Sequence, residues 1–327
     1  MAAAALAPLL VFAARNQAAQ PYGSIQRLNA RLNGIIAPGM KVMRVATGFK
    51  WIEGPVWVSA PGYLLFSEIS IRSIGKMQPG QGVDIFMHPI KSNGMTIDPQ
   101  GRLTVAGGSR RDVYRLETMN PHGQITILAD KYHGVPLNSP NDLVYSSDGS
   151  LYFTDPPYGM PAHAGKRLPF SGVYRLPKAD QIKPGNPPDN DALQLLIKNL
   201  PRPNGIAFSP DEHYLYVDNS TPKRVWMRYP VKPDGTLGKG AVFYDATSTH
   251  KPGSQNPDGM KVDRNGDIFS AGADGLWIFA PDGTHLGTIH LKGTVSNCAW
   301  GGVDLKTLYI TASPSIYSIH VKVPGIR

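Results

Sequence analysis

A pattern of strand, turn and strand recurs six times along this chain of 327 residues. The six copies begin at Ile52, Ser92, Pro140, Pro203, Pro257 and Ser296. Each copy places a polar residue before an apolar strand, and turn residues such as Asp148-Gly149 then close a hairpin. Repetition at this spacing indicates an architecture of repeated units, and it constrains the fold more than any single residue does.

Two further alternating strands follow most of the hairpins, for example GVYRL (from Gly172) and LQLLIK (from Leu193). Four strands in about 54 residues are typical of a propeller blade, and six blades lie within the usual range of roughly four to eight. We therefore predict an all-β fold, a six-bladed β-propeller with four antiparallel strands per blade and a central channel. The 35 Gly and 30 Pro residues, against only 17% charged residues, agree with many short strands and tight turns.

Closure of the ring is predicted from the two ends of the repeat region. The last copy stops at its third strand, SIYSIHV (from Ser315), whereas an unassigned strand, KVMRVAT (from Lys41), precedes the first hairpin. We expect this N-terminal strand to complete the sixth blade. The predicted organisation is thus an N-terminal extension over residues 1–40 and a single propeller domain over residues 41–327.

The first twenty residues contain an apolar run with small residues after it, which is typical of the end of an export signal. The leading basic segment of such a signal is missing, and Arg15 leaves the run too short to span a membrane. We interpret this segment as a remnant of an export signal and expect a periplasmic or secreted protein. An ordinary N-terminal helix on a cytoplasmic protein is the alternative.

The net charge of +9 arises from basic residues that are scattered and form no run. This distribution favours a soluble basic protein over one with a nucleic-acid surface, and no stable membrane insertion is expected. The single cysteine, Cys298, excludes an intrachain disulfide. The oligomeric state is left open.

One position of the repeat carries only carboxylates and amides, namely Glu53, Asn93, Asn141, Asn204, Asp258 and Asn297. The first strand of each hairpin lies nearest the axis of a propeller, so residues at its start can converge on one mouth of the channel. A turn-forming role would account for the Asn and Asp residues, but Glu53 is a poor turn former. Two carboxylates near one axis repel each other unless a cation neutralises them, so the column predicts a metal site.

The column offers only oxygen ligands, which suit Ca²⁺, Mg²⁺ or Mn²⁺ better than a structural Zn²⁺. We favour one divalent ion, Ca²⁺ first among these, with catalytic Zn²⁺ as a remaining alternative. Coordination positions left open for water or substrate would make the site catalytic.

Several motifs resemble the senescence marker protein, gluconolactonase and luciferin-regenerating enzyme family, most closely its bacterial gluconolactonase branch. They are IEGPVW (from Ile52), SPNDLVYSSDGSLYFTDPPYG (from Ser139), RPNGIAFSPD (from Arg202), NPDGMKVD (from Asn256) and SNCAWGGVDLKTLYITA (from Ser296). The resemblance implies a six-bladed propeller with one divalent cation held by Glu53, Asn204 and Asp258. It further implies that Asn141 contacts the substrate near the metal.

Two positions depart from the family pattern. Sugar-lactone enzymes of the family can carry an Arg two residues before the substrate-binding Asn, where this chain has Ser139. Relatives often carry a Glu-His pair where this chain has Ala106-Gly107. These departures predict a different or roomier specificity pocket, and they leave the fold and metal predictions unchanged.

The function that the resemblance implies is a metal-dependent lactonase, a gluconolactonase-like carboxylic-ester hydrolase that acts on a small-molecule lactone. The cation would polarise the ester carbonyl as a Lewis acid. Asp258 would be catalytic, as the group that deprotonates the attacking water, while Asn141 and Asn93 would bind the substrate. The long loop after Pro156 is expected to overhang the channel mouth, with Tyr158 as a candidate substrate contact. The alternatives are a phosphotriesterase-like hydrolase on the same metal site and a non-enzymatic ligand-binding propeller.

Overall fold

The computed structural model describes residues 20–160, 165, 167–186, 188, 190–249 and 251–326. The predicted export signal falls almost wholly on residues 1–19, outside this part of the chain. The described chain begins with β1 (Gln20–Pro21), β2 (Ser24–Arg27), a helical turn α1 (Leu32–Ile35) and β3 (Met43–Thr47). Six antiparallel sheets follow around a central axis, and they confirm the predicted six-bladed propeller.

The first three blades follow the chain in order. Blade 1 contains β4 (Ile52–Val58), β5 (Tyr63–Glu68), β6 (Ser73–Gln78) and β7 (Gly82–Met87). Blade 2 contains β8 (Met95–Ile97), β9 (Leu103–Ala106), β10 (Val113–Leu116) and β11 (Ile125–Ala129), and a small hairpin of β12 (Lys131–Tyr132) and β13 (Val135–Pro136) follows it. Blade 3 contains β14 (Leu143–Tyr145), β15 (Leu151–Asp155), β16 (Gly172–Leu176) and β17 (Gln194–Ile197).

The remaining blades complete the ring. Blade 4 contains β18 (Pro203–Phe208), β19 (Tyr214–Asn219), β20 (Val225–Pro230) and β21 (Ala241–Asp245). Blade 5 contains β22 (Met260–Val262), β23 (Ile268–Gly272), β24 (Gly275–Phe279) and β25 (His285–His290). Blade 6 contains β26 (Thr294–Gly301), β27 (Thr307–Ser313) and β28 (Ser315–His320). Short 3₁₀ turns lie at Ile69–Ile71, Gly108–Arg110 and Ala179–Gln181.

The N-terminal strand closes the ring as predicted. β3 pairs antiparallel with β28, with Thr47 opposite Ser315, and so supplies the fourth strand of blade 6. Residues 20–40, which the sequence assigns to an extension, also join the propeller. β1 adds a fifth strand to blade 6, β2 adds a fifth strand to blade 5, and Leu32 of α1 is fully buried against these blades.

The buried apolar residues of the described chain form clusters between neighbouring blades. Between blades 4 and 5, for example, Trp226 and Trp277 stack with ring centroids 5.6 Å apart. Each blade packs one face on the preceding blade and the other face on the next blade. Burial of these faces holds the ring together and fixes the positions at which the inner strands begin. No helix in the described residues has the length and apolar character needed to cross a membrane.

Candidate active site

The inner strands of the six blades line the central channel, and each contacts the inner strand of the next blade. They are β4, β8, β14, β18, β22 and β26. The six polar positions aligned by the repeat lie at or near the starts of these strands. Glu53 is the second residue of β4, for instance, and Asp258 stands two residues before β22. The shared register therefore places these positions at one end of the channel.

A glycine follows four of the six polar positions and allows neighbouring blades to approach each other. A Cβ on Gly54 would overlap the backbone oxygen of Asn93, and a Cβ on Gly205 would lie 2.5 Å from the backbone oxygen of Asp258. No side chain fits in such a space, so the local sequence brings site residues of adjacent blades close to the axis.

Hydroxyl groups fix the backbone at these positions. In each case a Ser or Thr of one blade donates a hydrogen bond to a backbone oxygen at, or next to, the polar position of the next blade. These bonds run from Ser67 to Asn93 (2.6 Å), from Thr154 to Asn204 (2.8 Å), from Ser220 to Pro257 (2.7 Å) and from Ser296 to Ile52 (2.8 Å). Because these backbone oxygens are hydrogen-bonded, the beginnings of the inner strands are held rigidly. A site that positions its side chains precisely requires such rigidity.

Two of the three predicted metal ligands are carboxylates that lie close enough to influence each other. Glu53 is 5% exposed, and burial together with repulsion from Asp258 raises its pKa well above the usual value. Burial also raises the pKa of Asp258, and the nearby Asp218 and Asp142 raise it further. The folded chain thus holds negative charge in a desolvated place, which is unfavourable without a compensating cation.

The third predicted ligand, Asn204, is 6% exposed and leaves an oxygen unsatisfied. Its Nδ2 donates to Ser220 Oγ at 3.2 Å, whereas its buried Oδ1 accepts no hydrogen bond from any described residue. An unpaired buried acceptor is costly, and a hard cation would satisfy it together with the two carboxylates. The residues therefore fit an oxygen-liganded divalent cation.

No three His, Cys, Asp or Glu side chains of the described residues are grouped so that they could hold a metal ion by themselves. The predicted ligand set is of a different kind, because it consists of two carboxylates and one amide.

The predicted substrate-binding residues lie around the same end of the channel. Asn141 is 7% exposed, and its backbone N–H donates to Thr154 O at 2.8 Å. The side-chain amides of Asn141 and Asn93 have no hydrogen bond to any described residue, which leaves them free to bind a ligand. Tyr158 lies on the loop after β15, and its hydroxyl donates to the backbone oxygen of Arg202, two residues before Asn204, at 3.4 Å. Burial raises the pKa of this hydroxyl.

A network that joins Asn297 of the polar column to Lys261, which the sequence analysis did not identify, lies beside the predicted ligands. Lys261 Nζ donates to Asp142 Oδ2 at 3.4 Å and to Asn297 Oδ1 at 3.3 Å, and Asn297 Nδ2 donates to Asp142 Oδ2 at 3.2 Å. Asp218 adds a buried carboxylate whose oxygens have no hydrogen-bond partner among the described residues, and burial with repulsion from Asp142 raises its pKa. The sequence feature that could have identified Lys261 is its position three residues after Asp258.

The departure at Ser139 has a clear structural role. The Ser139 side chain is buried, and its Oγ accepts a hydrogen bond from the Gly159 N–H at 3.0 Å. A Cβ on Gly159 would lie 2.5 Å from that Oγ and 3.1 Å from the backbone nitrogen of Ser109. Ser139 therefore fastens the loop that carries Tyr158 against the turn Gly108–Arg110. The close packing around Gly159 leaves no room for a long side chain at position 139.

Fold and site together define a six-bladed β-propeller with a cluster of carboxylate and amide oxygens at one mouth of its channel. Residues 51–314 match the family model described as the SMP-30/Gluconolactonase/LRE-like region, and the chain belongs to this family. This confirms the resemblance found in the motifs.

Comparison with individual proteins gives matches over most of the chain. The chain is 33% identical to a gluconolactonase of Zymomonas mobilis, over 96% of this chain and 90% of the relative. It is 32% identical to a pentonolactonase of Haloferax volcanii, over 84% of this chain and 86% of the relative. A solved structure of a gluconolactonase from Xanthomonas campestris superposes with a TM-score of 0.79 and 29% identity, covering 94% and 98% of the two chains.

Proposed function

We propose that this protein is a lactonase of the gluconolactonase type, which opens the ring of a small-molecule lactone and uses one divalent cation, Ca²⁺ first among the candidates. The observation that carries the proposal is the pair of buried carboxylates, Glu53 and Asp258, beside the unsatisfied Oδ1 of Asn204. The similarity to lactonases of two organisms over most of the chain supports the reaction class.

A divalent cation held by Glu53, Asn204 and Asp258 would supply Lewis-acid polarisation of the ester carbonyl. Asp258 takes a proton from the attacking water, whose oxygen bonds to the carbonyl carbon. The bond between that carbon and the ring oxygen then breaks, and the proton passes to the ring oxygen to give a hydroxy acid.

The amides of Asn141 and Asn93 orient the lactone through hydrogen bonds. Tyr158 closes one side of the mouth, with its ring 5.4 Å from the guanidinium carbon of Arg202. The hydrogen-bonded beginnings of the inner strands hold these groups in place before the substrate arrives. Such preorganisation is the main structural requirement for catalysis by positioning.

The proposal is tested by measuring hydrolysis of aldonolactones, aromatic lactones and phosphotriesters after chelation and after each cation is restored. We expect aldonolactone opening to be lost on chelation and to return with Ca²⁺. Glu53→Gln should respond weakly to restored cation, whereas exposed Asp84→Asn should behave like the wild type. Lactone opening that is insensitive to chelation, or turnover of phosphotriesters alone, would contradict the proposal.

A further inference from the structure

Two basic residues occupy the same repeat register at the channel mouth. Lys91 stands two residues before Asn93, and Arg202 stands two residues before Asn204. In blade 3, which lies between their blades, the corresponding residue is Ser139. Two residues of extended chain span about 7 Å, so the backbone of each basic residue lies about 7 Å from the polar position that follows it. This distance is similar to the size of a small sugar ring.

Neither cation has a carboxylate partner among the described residues. Lys91 Nζ donates only to the backbone oxygen of Ser109, at 3.4 Å. The guanidinium of Arg202 stacks on the Tyr158 ring and makes no hydrogen bond to a described side chain. By contrast, Arg102, Arg110 and Arg115 all pair with carboxylates. Lys91 and Arg202 are both partly buried, so their charges are incompletely compensated by solvent.

The backbone and neighbours of Arg202 hold it in place. Its N–H donates to Asn219 Oδ1 at 2.8 Å, and its carbonyl oxygen accepts from the Tyr158 hydroxyl at 3.4 Å. The same carbonyl oxygen accepts from the Ser220 N–H at 3.0 Å, and Ser220 Oγ accepts from Nδ2 of the predicted ligand Asn204 at 3.2 Å. Arg202 is therefore a positioned cation at the edge of the site.

The two cations and the two predicted carboxylate ligands come from different blades, while the buried carboxylates of Asp142 and Asp218 lie in blades 3 and 4. The carboxylates Glu53 and Asp258 belong to blades 1 and 5, whereas Lys91 and Arg202 belong to blades 2 and 4 and flank the small side chain of Ser139. A substrate whose carbonyl lies at the carboxylate and amide cluster can direct a second group toward the cations. Guanidinium and ammonium groups bind oxyanions through charge-assisted hydrogen bonds.

We infer that the substrate is a lactone bearing an anionic substituent, a carboxylate or a phosphate, and that Arg202, assisted by Lys91, binds this group. The inference rests on the proposed lactonase function and adds the chemical class of its substrate.

The test compares a neutral hexono-δ-lactone with the same lactone carrying a terminal carboxylate or a terminal phosphate. Wild-type kcat/KM should be at least about tenfold higher for one or both anionic lactones, since charged hydrogen bonds are roughly twice as strong as neutral ones. Arg202→Met should abolish this preference, mainly by raising KM for the anionic lactones. Lys91→Met should have a smaller effect in the same direction.

The matched control is Arg228→Met. Arg228 also stacks on a tyrosine, with its guanidinium carbon 4.8 Å from the Tyr214 ring, but it lies on β20, away from the inner strands. It should keep the wild-type preference. The inference is overturned if wild type treats neutral and anionic lactones alike, or if Arg202→Met lowers kcat/KM equally for both.

Binding of the corresponding non-hydrolysable lactams, measured calorimetrically, separates this inference from the proposed function. If no lactone is opened, the lactonase proposal fails. Tighter binding of the anionic lactam that Arg202→Met abolishes would then still support the anion site. Equal binding of charged and neutral lactams to the wild type would overturn it.

Discussion

Asp98 lies between two arginines, whereas Asp258 faces other carboxylates, and the two regions differ in what their charges do. Arg102 Nε contacts Asp98 Oδ2 at 2.7 Å, and Arg115 contacts Glu117 at 2.7 Å. Arg115 is fully buried and also donates to the backbone oxygen of Ala179 at 2.9 Å, which joins blade 2 to blade 3. We call Asp98, Arg102, Arg115 and Glu117 the blade network.

The channel carboxylates lack such partners. Burial raises the pKa of Glu117, but hydrogen bonds from Thr126 and Arg115 outweigh it and lower the pKa below the usual value. For Glu53, Asp218 and Asp258 the balance is reversed, and burial with mutual repulsion raises the pKa of each. Lys261 contacts the neighbouring Asp142, and no described cationic side chain forms an ion pair with Glu53, Asp218 or Asp258. Charge in the blade network therefore stabilises the fold, whereas burial and repulsion in the channel disfavour the charged carboxylates, which supports the proposed cation.

Breaking the blade network should have the largest effect. Arg115→Met leaves Glu117 and Asp98 buried with fewer donors, and we expect a loss of about 3–5 kcal/mol in the free energy of unfolding, typical of a broken buried ion pair. Urea denaturation measures this loss. The control is Arg31→Met, whose pair with Asp282 is about half exposed, and whose loss should change the free energy of unfolding little. Similar losses for both variants would contradict the comparison.

Changing a channel carboxylate should affect chemistry more than stability. Asp258→Asn keeps an oxygen ligand but removes the base, so kcat should fall on the order of 10²-fold or more, the usual scale for a general base. Cation binding, measured by calorimetry, should remain detectable at raised concentration. The metal-free variant should be no less stable than the wild type, because a repelling charge is gone. Near-normal turnover at saturating cation would show that Asp258 acts only as a ligand.

Asp155 is an intermediate case, and we expect its effect in the dependence of stability on pH. It accepts backbone hydrogen bonds from Asn138 and Ser139, both at 2.7 Å, yet burial raises its pKa to about 7 despite these bonds and the nearby Arg111. The folded state therefore binds its proton more tightly than the unfolded state, where the pKa is about 3.9. The stability contributed by this proton is complete below about pH 4 and is lost as the pH rises toward about 7.

Urea unfolding at several pH values measures the contribution of Asp155. The wild-type free energy of unfolding should fall more steeply between about pH 4 and 7 than that of Asp155→Asn, by up to about 1 kcal/mol per pH unit. Parallel pH profiles for the two proteins would show that Asp155 does not titrate in this range.

Much of the fold was predictable because its information is local. Asp148-Gly149 and similar turns close hairpins between residues that are neighbours in sequence, and six copies of one hairpin leave few arrangements other than a propeller. The polar column was predictable for the same reason, since Glu53 and Asp258 hold one register in the repeat. The closing strand β3 followed from a missing strand in the last copy.

Contacts between distant segments depended on the tertiary structure. Lys261 meets Asp142 across 119 positions of sequence, and the orphaned Oδ1 of Asn204 is defined only by what surrounds it. Residues 20–40 carry weak local signals, yet β2 and Leu32 pack on blade 5. The repeat specifies the structure of each single blade, because strands and turns depend on interactions between residues close in sequence. The packing of one blade against another specifies which side chains meet, because pairing and desolvation arise only when the ring has closed.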